Sequence, residues 1–237
     1  MAQRLALDRA LRGPYYLMVV CLTVPLLACP RGVAPIAPAD MPPLTPDSAV
    51  AWVDALIPGR ALRYDVRWAV ETQQGQVRGR AAARVHPPDS LRFDYRAPFG
   101  RSGAAVVIGD SLRWAEPEDR NPVPPAPLFW AALGIPLHPP AGAAVVGREV
   151  PGERAWRYAI GHDTLTYVAS TGSRTELKAL FRRGDEVVGT VTTTLDAGTR
   201  LPIEATVLFP QSGAFFLLTV QEIDSLSAVD PEIWDRP

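Results

Sequence analysis

In several segments between residues 62 and 209 apolar side chains recur at every second position, and that period leaves few folds open to the chain. Leu62, Tyr64, Val66, Trp68 and Val70 alternate with Arg63, Asp65, Arg67 and Glu71. The pattern returns in Leu91, Phe93 and Tyr95 against Arg92, Asp94 and Arg96, and in Leu177, Ala179 and Phe181 against Glu176, Lys178 and Arg182. Ile203, Ala205, Val207 and Phe209 repeat it once more against Glu204 and Thr206. Successive side chains of a strand point to opposite faces, so each segment reads as a half-buried antiparallel strand. Turn signals separate the segments, among them Gln74-Gly75, Pro87-Pro88-Asp89, Gly109-Asp110, Gly184-Asp185 and Gln211-Ser212-Gly213. A meander of about ten strands is predicted. No strand–helix–strand unit of the length a parallel sheet requires is present, which argues against a nucleotide-binding α/β fold. The segment from Phe215 to Val220 is apolar on both faces and predicts a central strand covered on both sides.

Two segments break the period. Thr45-Pro46-Asp47-Ser48 carries an N-cap threonine and a proline at the first helical position, and Val50, Trp52, Val53 and Leu56 follow at helical spacing until Pro58-Gly59. One short amphipathic helix therefore precedes the strands. The second, Ala126 to Gly134, begins with proline after Ala126, ends with glycine and has no polar face. Such a helix must be buried. On a mostly antiparallel sheet its place is the concave side, either as ordinary core filling or as a plug over an apolar cavity.

The N-terminus reads as an export signal. Arg4, Arg9 and Arg12 form a basic leader, the stretch from Tyr15 to Leu27 is nearly uninterrupted hydrocarbon, and Leu26-Leu27-Ala28-Cys29 closes it. That run is short for a bilayer span, which needs about 20 residues. It resembles a bacterial lipoprotein signal, in which cleavage precedes a cysteine that then carries acyl chains. The alternative is an ordinary secretory signal that happens to contain a cysteine. The chain thus divides into a signal at 1–28, a lipidated Cys29 opening a proline-rich tether over 29–46, and a folded domain over 47–237, with structure starting at Thr45. Two or three acyl chains, at about 0.8 kcal/mol per buried methylene, would hold the domain firmly on a membrane. A polyproline-type tether would lift it by roughly 50 Å at full stretch.

Composition narrows the chemistry. The two cysteines, Cys21 and Cys29, fall in the signal and at the lipidation position, which leaves no thiol for a disulfide or metal site in the mature domain. His86, His138 and His162 are scattered and offer little for zinc. A formal net charge of −1 gives no electrostatic footprint for nucleic acid. Arg78, Arg80 and Arg84 share one strand face, either as a solvated outer surface or as a contact for phosphate or lipid headgroups. Glu116, Glu118 and Asp119 read as a solvated cluster in a proline-flanked loop. Ile108-Gly109-Asp110-Ser111-Leu112 spells the Gly-Asp-Ser-Leu block of a class of lipases and esterases. Here it lies in a strand period around a two-residue turn, and no histidine has an aspartate three places before it. Ser111 without a base stays a weak nucleophile, so the chain is read as a non-enzyme with no cofactor.

The order of lipobox, short helix, alternating strands, apolar helix and further strands resembles the outer-membrane lipoprotein receptor LolB and the LolA/LolB-like carriers. Leu91 to Gly100 is similar to that family's strand and protruding loop, with Pro98-Phe99-Gly100 in the place of its Pro-Leu-Gly. Leu128 to Leu137, with Gly134-Ile135-Pro136, is similar to its helix and Gly-Leu-Pro exit. The resemblance implies an open, strongly curved antiparallel half-barrel with helices covering an apolar cavity. It implies that Phe99 touches the membrane. The apolar strand positions Leu62, Tyr64, Val66, Trp68, Leu91, Phe93, Tyr95, Val207 and Phe209, with Phe129, Trp130 and Leu133 of the lid, would line the cavity. Acyl chains of lipoproteins, delivered by a soluble LolA-like periplasmic carrier, would be the cargo of a monomer anchored in the outer membrane and facing the periplasm. Pro30 after the cysteine, rather than an aspartate, agrees with outer-membrane sorting. Two other readings remain open, a scaffolding envelope lipoprotein with a solid core and a carrier of another amphiphile such as a glycolipid.

Overall fold

The computed structural model describes residues 36–38, 40–117, 122–171 and 175–235. Cys29, the signal, the first part of the tether and the Glu118–Asp119 pair lie outside the described residues. Thirteen described strands form one sheet: β1 (Pro43–Leu44), β2 (Leu62–Thr72), β3 (Gly75–His86), β4 (Ser90–Arg96), β5 (Ser102–Ile108), β6 (Ser111–Glu116), β7 (Val145–Val150), β8 (Glu153–Ile160), β9 (Asp163–Thr171), β10 (Thr175–Arg183), β11 (Glu186–Leu195), β12 (Pro202–Phe209) and β13 (Ala214–Ser225). Helix α1 spans Pro46–Asp54, helix α2 spans Ala126–Ala132, and a single 3-10 turn covers Pro231–Trp234. The spatial order is β1-β7-β8-β9-β10-β11-β12-β13-β2-β3-β4-β5-β6. All neighbours are antiparallel, and the edges β1 and β6 do not meet, so the sheet is open.

Most connections are tight turns between sequence neighbours. Two are not: edge strand β1 passes through α1 to β2 in mid-sheet, and the chain leaves at β6, one edge, and re-enters at β7 near the other, with α2 in the middle of this second crossing. Helix α2 touches β6 on one side and β10, β11 and β12 on the other. In sheet order β6 and β10 are eight steps apart, which would be roughly 38 Å on a flat sheet at about 4.8 Å per strand. A seven-residue helix is only about 10 Å long. Contact on both sides therefore requires the sheet to curl around the helix. The side chains on the concave face form one continuous cluster drawn from both halves of the sheet and from α2.

Helix α2 begins at a proline-rich approach and ends in a Schellman arrangement. Gly134 N–H donates to the Ala131 carbonyl at 2.9 Å, and Ile135 N–H reaches back to Trp130 at 3.1 Å. Gly134 has φ of +77°, and a Cβ there would stand 2.8 Å from Leu195 Cδ2. Glycine alone satisfies both the turn and the close approach. Every residue of α2 is buried, as its lack of a polar face demands.

Helix α1 starts as the sequence predicts, with Ser48 N–H donating to Thr45 Oγ1 at 3.3 Å. Its buried face is Ala49 and Val53, and Trp52 lies edge-on to Trp156 with ring centres 6.2 Å apart. Structure begins before Thr45. Met41 is buried with Ala155 and Val168, Ile36 and Ala37 pack beside it, and Pro43–Leu44 pairs with Val145–Val146 as an edge strand. Proline is tolerated on an edge because its missing N–H faces away from the ladder, and the Pro42 carbonyl accepts from Gly147 N–H at 2.9 Å.

Segment 215–220 differs from its expectation. β13 is central in the sheet, but only its one face meets the core, with Phe216 and Leu218 buried and Val220 at the margin, while Phe215 and Leu217 are half-buried on the convex face with no layer above them among the described residues. Apolar character on both sides of a strand does not by itself supply a second covering layer.

Gly134→Ala should lower stability by about 1–3 kcal/mol, because it adds a strained φ and a clash at one point. Urea unfolding of the variant should show the loss as a lower midpoint with the slope unchanged.

Candidate functional site

Two features stand apart from ordinary packing: the concave interior with α2 inside it, and the loop between β4 and β5. Inward positions of β2 bring Leu62, Tyr64, Val66 and Trp68 to the interior, β4 brings Leu91, Phe93 and Tyr95, and β12 brings Val207. All eight are buried in one cluster with Phe129, Trp130 and Leu133 of α2, and Phe209 packs at its margin, partly buried. Phe129 stands edge-on to Phe93 at 5.1 Å and to Phe216 at 6.3 Å, so it wedges between opposing strands. Phe93 in turn stacks on Tyr95, which meets Trp68 edge-on.

The other half of the interior is as aromatic and was not singled out by sequence. Trp156 stacks on Tyr167 at 5.3 Å, and Tyr158 lies tilted at 6.3 Å from the same ring. The signal was available, because Trp156 and Tyr158 on β8 and Leu165, Tyr167 and Ala169 on β9 alternate as the other strands do.

Few polar contacts tie α2 and its exit to the sheet. Thr193 Oγ1 donates to the Ala131 carbonyl at 2.7 Å, and Trp130 Nε1 donates to the Gly109 carbonyl at 2.7 Å. At the exit, Tyr158 Oη donates to the Leu137 carbonyl at 2.8 Å and Leu137 N–H donates to Tyr167 Oη at 3.2 Å. His138 Nε2 lies 2.8 Å from Asp54 Oδ1, which joins the exit to α1. Burial raises both tyrosine hydroxyls: Tyr167 is pushed up to about 12 with its hydrogen bonds opposing the shift, and Tyr158 is raised by burial first and by Tyr167 second. Three other polar atoms inside have no partner among the described residues, the Tyr64 and Tyr95 hydroxyls and the Trp156 indole N–H. An unpaired buried donor of this kind costs about 1–3 kcal/mol.

The β4–β5 loop is closed by Ala97 N–H donating to the Arg101 carbonyl at 2.7 Å. Phe99 is 99% exposed and has φ of +63°. A bulky residue is disfavoured in that conformation by roughly 1–2 kcal/mol, and full exposure forfeits its hydrophobic gain as well. Nothing in the packing asks for phenylalanine there.

Ser111 opens β6 beyond the two-residue turn at Gly109–Asp110, and its hydroxyl donates to Asp110 Oδ1 at 2.9 Å. It does not sit at the start of a helix, where the Gly-Asp-Ser-Leu block of the esterases places its serine. No group of three metal-binding side chains and no helix long and apolar enough to cross a membrane occurs among the described residues.

No protein-family model and no curated protein matches the chain. Among solved structures it is similar to a LolA superfamily protein from Nitrosomonas europaea, with a TM-score of 0.57 and 12% identity over 81% of this chain and 98% of that one. It is also similar to a domain from Vibrio parahaemolyticus provisionally described as an outer membrane lipoprotein-sorting protein, with a TM-score of 0.53 and 9% identity over 79% of this chain and 95% of that one. At these identities the likeness is one of fold.

Phe99→Asn should raise stability by about 0.5–1 kcal/mol, since asparagine accepts a left-handed φ that phenylalanine resists; a fall in thermal midpoint would show a structural role for the ring. Buried neutral tyrosines stabilise the fold fully below the unfolded pKa near 10 and lose that contribution as pH rises through their raised values. Urea midpoints should therefore be level up to about pH 9 and fall above pH 10, and Tyr158→Phe should flatten that fall while losing about 1 kcal/mol at neutral pH.

Proposed function

We propose that this chain is a lipid-anchored envelope protein that takes acyl chains into the concave interior of its sheet. In this reading it acts as a LolB-like acceptor, receiving lipoproteins from a soluble LolA-like carrier and releasing them into the outer membrane. The observation that carries the reading is Phe99, a fully exposed aromatic in a strained backbone conformation at a loop tip. An exposed, strained apolar residue is the mark of a contact made with something outside the fold.

The interior supports the same reading. Its lining is predominantly apolar, and α2 fills it with side chains that an acyl chain could replace at nearly equal transfer free energy. Little driving force is needed for such an exchange beyond a difference in affinity between donor and acceptor. The unpaired Tyr64 hydroxyl and Trp156 N–H would gain partners from the ester or amide carbonyl at the head of an acyl chain. Cys29 would keep the domain at the membrane and raise its local concentration where cargo must leave.

One observation favours the rival reading of a scaffolding lipoprotein. Phe129 already occupies the space between Phe93 and Phe216, as in a solid core. Transfer of a radiolabelled lipoprotein from a LolA-like carrier to vesicles decides between them. Wild type should accelerate delivery, and Phe99→Asn should accept cargo yet deliver it at least about tenfold more slowly, through loss of roughly 1.5–3 kcal/mol of aromatic burial. Absence of any accepted cargo would favour the scaffold, and full delivery by the variant would remove Phe99 from the mechanism.

A further inference from the structure

The convex face of β2, β3 and β4 carries two rows of arginine that differ in one respect. Arg63, Arg84 and Arg92 stand at directly opposed positions on the three strands. Each is paired with a carboxylate, the three sharing two: Arg63 grips Asp65 through Nη2 at 2.9 Å, Arg92 Nε lies 2.9 Å from Asp94, and Arg84 pairs with the same Asp94. Four residues along each strand, Arg67, Arg80 and Arg96 repeat the arrangement, again directly opposed. Among the described residues none of these three side chains has an ion pair or hydrogen bond. Asp65 and Asp94 lie between the rows and are committed to the first. Glu222 on β13 and Glu116 on β6 line the margins of the surrounding grooves and pair with none of the three.

Like charges at directly opposed positions weaken a sheet. Three guanidinium groups placed so, with Arg78 beyond them on β3, hold positive charge that the fold is better without. Grooves of about 590 and 360 Å³ on either side share Arg67 and Arg80, so the row is open to a partner along its length. Arg96 is the last residue of β4, three places before Phe99, and Arg101 follows two places after it. The basic row therefore runs across the sheet straight to the exposed aromatic.

We propose that Arg67, Arg80 and Arg96, with Arg78 and Arg101, bind the headgroups of anionic phospholipids at a bilayer surface. Guanidinium groups donate paired hydrogen bonds to phosphate oxygens, and a planar array of phosphates over hydrocarbon matches a basic row that ends in an inserted phenylalanine. The overall charge of −1 gives a nucleic acid no comparable footprint. The proposal rests on the membrane reading of Phe99 for its orientation, but its dependence on charge is separate.

Vesicle flotation of the full-length chain tests it, with phosphatidylcholine alone or mixed with phosphatidylglycerol. Any N-terminal anchor contributes equally to both, so the ratio reports the row. Wild type should favour the anionic vesicles by at least about tenfold at low salt, with the preference lost at high salt. The triple variant Arg67→Gln, Arg80→Gln, Arg96→Gln should lose the preference while its thermal midpoint stays at or above wild type. Retained preference in the triple variant would overturn the proposal. So would equal binding of wild type to both vesicles, which would turn attention to an acidic protein partner. A Phe99→Asn variant that keeps the charge preference, whether or not total binding falls, supports the row; unchanged total binding in that variant contradicts only the membrane contact of Phe99.

Discussion

A helix with no polar face can be stable only where water does not reach it, and α2 imposes that condition on everything around it. Its seven buried residues touch β6 on one side and β10 to β12 on the other, which a flat sheet would hold far apart. The curl of the sheet, the single concave cluster and the open seam between β1 and β6 all answer to the need to wrap this helix. The polar groups that fix it are correspondingly few: the Trp130 indole holds its middle to the Gly109 carbonyl, and the rest sit at its C-terminal end and exit. Thr193 and Gly134 share the Ala131 carbonyl, and Tyr158 and Tyr167 hold Leu137 from both sides. An element secured mainly by contacts that any hydrocarbon can imitate is suited to being exchanged for hydrocarbon.

The outer surface is organised by different physics. Arginines opposed across β2, β3 and β4 are ion-paired in one row, where three share two carboxylates, and left without ion pairs in the next, nearer the Phe99 loop. Phe99 itself combines exposure with a positive φ. Both features work against stability, and both lie at the same end of β4. In the proposed reading, interior and surface would serve two kinds of lipid contact, acyl chains within and headgroups without.

Much of this was legible in the sequence because burial imposes a period. Leu62 to Trp68 and Leu91 to Tyr95 alternate, and they face inward as the alternation requires. Thr45 and Pro46 start α1, and Gly109–Asp110 turns β5 into β6, because capping and tight turns have local chemical requirements. What depends on distant partners was not legible. Phe215 and Leu217 look like core residues until it is known that no layer covers the convex face of β13 among the described residues, whereas Trp234 covers that face at β5 and β6. Pro43 and Leu44 look like tether until the edge of β7 is in place beside them. Whether Phe93 and Tyr64 line a space or a solid core depends on where Phe129 sits, and the same apolar letters serve either arrangement. The strain at Phe99 arises from loop closure between Ala97 and Arg101, which composition does not reveal.

The central claim is that the interior accepts acyl chains by giving up its contacts with α2. Amide hydrogen exchange over residues 128–135, measured with and without a triacylated lipopeptide, tests it most directly. The account predicts that loading lowers protection in this segment while strands β2 and β11 keep theirs. Unchanged protection across the segment, with lipopeptide bound elsewhere or not at all, would contradict it.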